Sequence, residues 1–227
     1  MNSPASLTFL HSVACTTFPN DLHHSITAAE TIREVGLKCI SFNGIPRTIN
    51  CLGEFHASLP EGVTAGLTTT PTRTPTPNNL ERIQEKGREL WDSIYTPFQE
   101  KLIRKLAQSH PDLPVVILNS NYGPLLADPP GQGHPIKIGR VLTSLAAIAC
   151  LRAQTGVGPQ VISHIFGLRK AYEDGSFEAA GEKEVEGGKW LASDEGNLWV
   201  LSTVDRIVEA IGKGAGTTLA PAVQAKL

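Results

Sequence analysis

The sequence has little charge of either sign and no long apolar run. Lys and Arg number 20 and Asp and Glu 22 among 227 residues, which leaves a formal net charge of −2. A nearly neutral chain has no overall electrostatic attraction for nucleic acid or for acidic membrane surfaces. No stretch of about 18 residues is apolar throughout, so the sequence predicts no membrane-spanning helix. We therefore expect neither nucleic acid nor a membrane as a partner.

Cysteine is scarce, and its few copies are scattered. Cys15, Cys39, Cys51 and Cys150 form no C-x-x-C pair and lack the spacing of a disulfide scaffold, which favours reduced thiols and an intracellular location. The histidines show neither H-x-x-x-H nor H-E-x-x-H spacing, and the glycine-rich stretch 212–216 lacks the Lys-Ser/Thr of a phosphate-binding loop. The sequence thus predicts no metal site and no cofactor.

Apolar residues recur at helical spacing over most of the chain. Thr27 and Glu30 are spaced as in a capping box, which predicts a helix start there, and Pro97 is expected to end one helix and start the next. The apolar stretch 115–126 fits a strand or a helix by periodicity alone. We favour a helix because no other segment supplies partner strands. The predicted fold class is all-α, with about eight or nine helices.

A segment rich in proline and threonine interrupts the helical pattern at residues 61–79. Its prolines forbid a regular helix, so it is expected to be a linker between an N-terminal helical pair at 21–60 and a larger core at 80–212. Residues 213–227 are predicted to form a flexible tail. The alternative is a single domain over residues 21–212, in which residues 61–79 form a long loop on the surface.

His164 is the first candidate for chemistry, because imidazole takes up and releases protons near neutral pH. Gln160 lies one helical turn earlier, where it is placed to hydrogen-bond the imidazole or a substrate. The alternative is a structural core histidine that binds a backbone carbonyl.

Several motifs, taken in order, resemble a known family. The stretches 140–149 and 160–171, the second carrying His164, resemble the core helix pair of the carboxymuconolactone decarboxylase family and of the AhpD-like superfamily that contains it. Residues 122–129, which begin Tyr-Gly-Pro, are similar to the segment that precedes this helix pair in the family. Residues 30–50 resemble two motifs that lie further upstream in the same fold. The likeness extends to AhpD-like proteins of fungi.

The resemblance implies an AhpD-like helical bundle, built either as one unit or as two related helical halves. It also implies a homo-oligomer and a lyase-type enzyme without redox cysteines, in which His164 and Gln160 act on an acidic or carbonyl small-molecule substrate. Arg47 or Arg140 is expected to bind a carboxylate of the substrate. Asn50 and Tyr122 are possible orienting groups in the same site.

The chain departs from the peroxidase members of the superfamily, which carry C-x-x-C-x-x-x-H on this helix. The two cysteine positions fall on Val157 and Gln160, so peroxidase chemistry is disfavoured. An antioxidant oxidoreductase of the AhpD-like type and a non-catalytic helical scaffold remain the alternatives. Cys150 is interpreted as an inert thiol. A redox function requires two cysteines close together, and Cys39 with Cys51 is the pair that the sequence favours for it.

The last three residues, Ala225-Lys226-Leu227, match the pattern that the peroxisomal import receptor binds. The sequence therefore predicts a peroxisomal location, with the cytoplasm as the alternative if the match arose by chance.

Overall fold

The computed structural model describes residues 3–130, 134, 136–181 and 184–215. Within these ranges the chain forms helices and no β-strand, which confirms the all-α prediction. None of the described helices is both long and apolar enough to cross a bilayer. Most of the predicted tail lies outside the described residues, and so does the tripeptide Ala225-Lys226-Leu227.

Twelve α-helices occur in the described ranges, more than the periodicity predicts because several are a single turn long. In chain order they are α1 (Pro4–Cys15), α2 (Leu22–Lys38), α3 (Ile40–Asn43), α4 (Ile45–Ser58), α5 (Glu61–Ala65), α6 (Leu80–Tyr95), α7 (Gln99–Ser109), α8 (Leu113–Val116), α9 (Gly139–Gln154), α10 (Gly158–Glu173), α11 (Gly188–Leu191) and α12 (Asp194–Ala215). A π-helix (Ile117–Leu126) follows α8, and a 3₁₀-helix (Ser176–Gly181) follows α10.

The start of α2 differs from the prediction. Asp21 is its N-cap, and its side chain accepts a hydrogen bond from the backbone N–H of His24 at 3.0 Å. Thr27 lies inside the helix and donates its hydroxyl hydrogen to the carbonyl oxygen of His23, so the predicted start at Thr27 is wrong. An aspartate upstream is an equally good cap, and the helix extends to it.

The helices enclose three apolar clusters. Near the N-terminus, α1, α2, α4 and α5 surround Phe55, which is fully buried. The second cluster lies between α9, α10 and α12 around Ile148 and Leu168. The third lies between α6 and the π-helix around Trp91 and Tyr122. Because α9 also packs against α2 and α3, it joins the N-terminal helices to the others.

Two glycines let α6 and the π-helix approach each other closely. A Cβ on Gly87 would lie 2.5 Å from the backbone nitrogen of Gly123, and a Cβ on Gly123 would lie 2.6 Å from the carbonyl oxygen of Ile83. Backbone atoms cannot move aside as a flexible side chain can. Both positions therefore need glycine for the contact that buries Tyr122.

Replacing Gly87 by alanine is expected to lower the free energy of unfolding by about 1–3 kcal/mol, because the two helices must separate. Gly53→Ala is the matched control, since Gly53 is in the interior of α4 and a Cβ there would meet no atom within 4 Å. That control should raise the stability by about 0.5–1 kcal/mol. Urea unfolding of both variants tests this, and an equal gain in the two would contradict the close contact.

The segment predicted as a linker begins with α5 and has no further helix until α6. Two buried carboxylates of α2 hold it. Glu30 accepts a hydrogen bond from the backbone N–H of Thr68 at 2.5 Å, and Glu34 pairs with the guanidinium of Arg73. The segment thus lies against α2, and its role as a boundary between domains stays a prediction.

Lys38, at the end of α2, is almost completely buried. Its ammonium nitrogen lies 2.9 Å from Oδ1 of Asp128 and donates a hydrogen bond of 2.5 Å to the carbonyl oxygen of Leu126. Burial lowers the pKa of Lys38, although Asp128 opposes this. Burial alone would raise the pKa of Asp128, but Lys38 and two backbone N–H groups hold it below its usual value. The pair fixes the chain after the π-helix against α2.

Candidate functional site

His164 lies on the buried face of α10. The face is formed by residues three or four positions apart, so Val161, His164 and Leu168 point inward. Ile162 and Phe166, which are also apolar residues of this helix, are 53% and 62% exposed. The interior position of His164 is thus set by helical spacing.

Aromatic rings surround the imidazole of His164. The ring centroids of Tyr95 and Phe42 lie 6.1 and 6.5 Å from that of His164, both in edge-to-face geometry. The Nδ1 atom of His164 is buried and has no hydrogen-bond partner among the described residues. The carbonyl bond expected for a structural core histidine is therefore not formed at Nδ1. Gln160 is exposed and forms no hydrogen bond to His164 in this structure.

Arg140, in the first turn of α9, is the cation beside this histidine. It is buried, and it donates hydrogen bonds to Ser144 Oγ and to the carbonyl oxygens of Gly167 (2.7 Å) and Ser93 (3.3 Å). The bond to Gly167 depends on a close approach, since a Cβ there would lie 2.9 Å from a methyl carbon of Ile94. Arg140 is therefore held by protein acceptors in the centre of α6, α9 and α10.

Burial and the charge of Arg140 lower the pKa of His164 to about 4. The imidazole is consequently neutral at physiological pH. It accepts a proton only when a negative charge that forms beside it offsets the effects of burial and of Arg140. The hydroxyl oxygens of Tyr95 and Tyr122 lie 3.0 Å apart, and burial raises the pKa of both side chains. Both tyrosines therefore stay protonated, and in the hydrogen bond between them one hydroxyl donates to the other.

A cavity of about 610 Å³ lies next to this cluster, between α6, α7 and α10. We call it the lysine cavity, because Lys101, Lys105 and Lys170 line it together with Tyr95 and Phe166. Glu173 is the single carboxylate among its lining residues, so the charge of the wall is positive. His164 does not line this cavity, and Tyr95 stands between the two.

The structure brings together some of the predicted site residues and leaves others apart. His164, Arg140 and Tyr122 meet around Tyr95. Arg47 and Asn50 lie on α4, which packs against α1, α2 and α3, and they do not join this cluster. Arg47 lines a separate cavity of about 390 Å³, and Asn50 is exposed.

Sequence reasoning missed Tyr95 and the three lysines. Lys101 and Lys105 are four residues apart, so they share one face of α7, and this spacing is visible in the sequence. Lys170 is on another helix, and only the packing of α10 against α6 brings it near them.

The described residues contain no group of three or more His, Cys, Asp or Glu side chains arranged to hold a metal ion. The candidate site is therefore built of a neutral imidazole, two tyrosine hydroxyls and cationic side chains. No protein-family model, curated protein or solved structure matches this chain.

Proposed function

We propose that the chain is an enzyme that acts on a small acidic or carbonyl compound through His164, as the resemblance to the carboxymuconolactone decarboxylase family implies. The observation that carries the proposal is the position of Tyr95. Its ring contacts that of His164, and the same side chain lines the lysine cavity. One side chain therefore separates a buried base from a cavity that suits an anion.

The lysine cavity has the size and the charge of a site for a small organic anion. Its volume of about 610 Å³ falls within the usual range of ligand pockets. Lys101 and Lys105 are exposed, and neither forms an ion pair with any described residue. The rings of Phe98 and Phe166 supply apolar surface beside these charges. A carboxylate with an apolar body satisfies both features.

The buried cluster supplies acid/base groups for such a compound. A neutral imidazole with an unsatisfied nitrogen removes a proton next to a carbonyl or carboxyl group, and the resulting enolate carries negative charge. One of the hydroxyl groups of Tyr95 and Tyr122 donates to the other, and the second hydroxyl hydrogen of the pair stabilises this charge. Because Tyr95 lies between the lysine cavity and His164, direct contact between a substrate and His164 requires the Tyr95 side chain to move.

Turnover by the purified protein tests the proposal against a panel of carboxylated lactones and oxo acids, with product formation followed by mass spectrometry. His164→Gln should lower kcat on the best member by about 100-fold with little change in KM, because the base is lost and the cavity is kept. His110→Gln, in which the replaced side chain is 66% exposed, is the matched control and should leave both constants unchanged.

Replacing Lys101 and Lys105 together by glutamine should instead raise KM several-fold and leave kcat near its original value, because these residues attract the anion. Full activity of His164→Gln would show that His164 is not the base. Failure of the whole panel to be turned over or bound would favour the non-catalytic scaffold.

A further inference from the structure

Two cysteines far apart in the sequence meet in this fold. The Sγ atoms of Cys39, between α2 and α3, and Cys150, on α9, lie 3.4 Å apart although 111 residues separate them. Cys51 is the partner that the sequence predicts for Cys39, whereas the structure places the Cys150 sulfur in contact with it. A disulfide requires sulfurs about 2.05 Å apart, so a small side-chain movement closes this pair.

The surroundings give the two thiols different roles. The thiol of Cys39 and the side-chain amide of Asn43, at 3.7 Å, hydrogen-bond to Cys150 and lower its pKa, although burial opposes them. The hydrogen bond to Cys150, together with burial, raises the pKa of Cys39. The Asn43 amide donates to the sulfur of Cys150, so the geometry favours Cys150 as the thiolate nucleophile, with the Cys39 thiol held next to it. The interpretation of Cys150 as an inert thiol does not fit this arrangement.

Both thiols line the cavity of about 390 Å³, and so do Arg47 and a third cysteine, Cys51. We call it the thiol cavity. Its remaining wall is mostly aliphatic, and Arg47 is the single charged residue among the lining residues. Arg47 is exposed and forms no ion pair with a described residue. A small molecule that carries a carboxylate therefore finds a cation in the same cavity as the Cys39 and Cys150 sulfurs.

We propose that Cys39 and Cys150 form a reversible dithiol–disulfide couple, which exchanges with a small disulfide bearing a carboxylate bound in the thiol cavity. The couple is separate from the lysine cavity and from His164. It also lies outside positions 157 and 160, where the resemblance would place redox cysteines. The proposal therefore does not depend on the proposed function.

The exchange takes two steps. The Cys150 thiolate attacks one sulfur of the small disulfide, whose S–S bond breaks, and the first leaving thiolate takes up a proton. The Cys39 thiol then loses its proton and attacks the Cys150 sulfur of the mixed disulfide, which expels the second thiolate. Two electrons pass from the protein to the small disulfide, which becomes two thiols, and the protein gains one disulfide between α9 and the α2–α3 junction.

Oxidised glutathione is the probe for the test, applied to the folded, reduced full chain. Thiol titration should show that two of the four free cysteines are lost, and peptide mass spectrometry without reduction should show the Cys39–Cys150 link. Dithiothreitol should restore all four thiols. Cys15→Ser is the matched control and should still form the link, whereas Cys39→Ser should stop at a mixed disulfide on Cys150.

A link between other cysteines, or four thiols that remain after treatment, would overturn the proposal. The charge requirement is tested by Arg47→Gln, which should slow the reaction with oxidised glutathione and leave that with neutral 2-hydroxyethyl disulfide unchanged. If Arg47→Gln and the unchanged protein react at equal rates with both disulfides, the bound molecule needs no carboxylate, and that part of the proposal is wrong. His164→Gln should form the link normally, which distinguishes this result from a failure of the proposed function.

Discussion

Replacing Lys38 by alanine is expected to lower the free energy of unfolding by about 3–5 kcal/mol, the largest loss among the single substitutions considered. The substitution leaves the carboxylate of Asp128 in a mostly buried place without its cation. It also removes the donor to the carbonyl oxygen of Leu126. An uncompensated buried charge costs more than the ion pair contributes, so the loss is greater than for a surface lysine. Urea unfolding at neutral pH measures it.

Two further variants show whether the unpaired charge is the cause. Lys105→Ala, on the exposed face of α7, is the matched control and should change stability by less than about 0.5 kcal/mol. Lys38→Met combined with Asp128→Asn removes both charges and keeps an acceptor for one of the two backbone N–H groups, those of Ile138 and Gly139, that bind separate oxygens of Asp128. This double variant should recover a large part of the loss. Additive losses from the two substitutions would contradict the coupling.

The stability of the protein should fall as the pH drops from 6.5 toward 4, by about 3 kcal/mol from His164 alone. In the folded chain the pKa of His164 is lowered to about 4, whereas the unfolded value is 6.5. Between these values the unfolded chain binds the proton more readily, so acid favours unfolding. The contribution is complete above about pH 6.5 and is lost as the pH falls through the folded pKa.

Urea unfolding of the original protein and of His164→Gln at pH 7.5 and 5 tests this expectation. The original protein should lose about 2 kcal/mol more than the variant between the two conditions, because glutamine does not titrate. Other titrating groups contribute equally to both proteins and cancel in the comparison. The same pH dependence in both proteins would show that His164 is not held neutral by burial.

The sequence was sufficient for the fold class because helical periodicity is a local property. The apolar stretch 115–126 is helical as predicted, and the break at Pro97 does separate α6 from α7. Periodicity did not decide which residues of an apolar helix face inward, as Phe166 shows. It also could not predict a π-helix, because that form depends on the neighbours that pack against it.

The site was harder to predict because it depends on contacts between distant segments. His164, Arg140 and Tyr122 belong to motifs that could be recognised, and these three come together. Nothing in the local sequence of Cys39 indicates that Cys150 is its neighbour, because the packing of α9 against α3 creates that contact. The homo-oligomer and the peroxisomal location stay predictions.

The segment from Thr68 to Asn79 is held by charged groups more than by apolar contacts. From Thr68 to Asn79 no side chain is fully buried, and the main anchors are Glu30 and Glu34 of α2. Such a segment opens locally at a free-energy cost below that of global unfolding. We therefore expect proteases to cut the backbone around Arg73 while the helices stay folded.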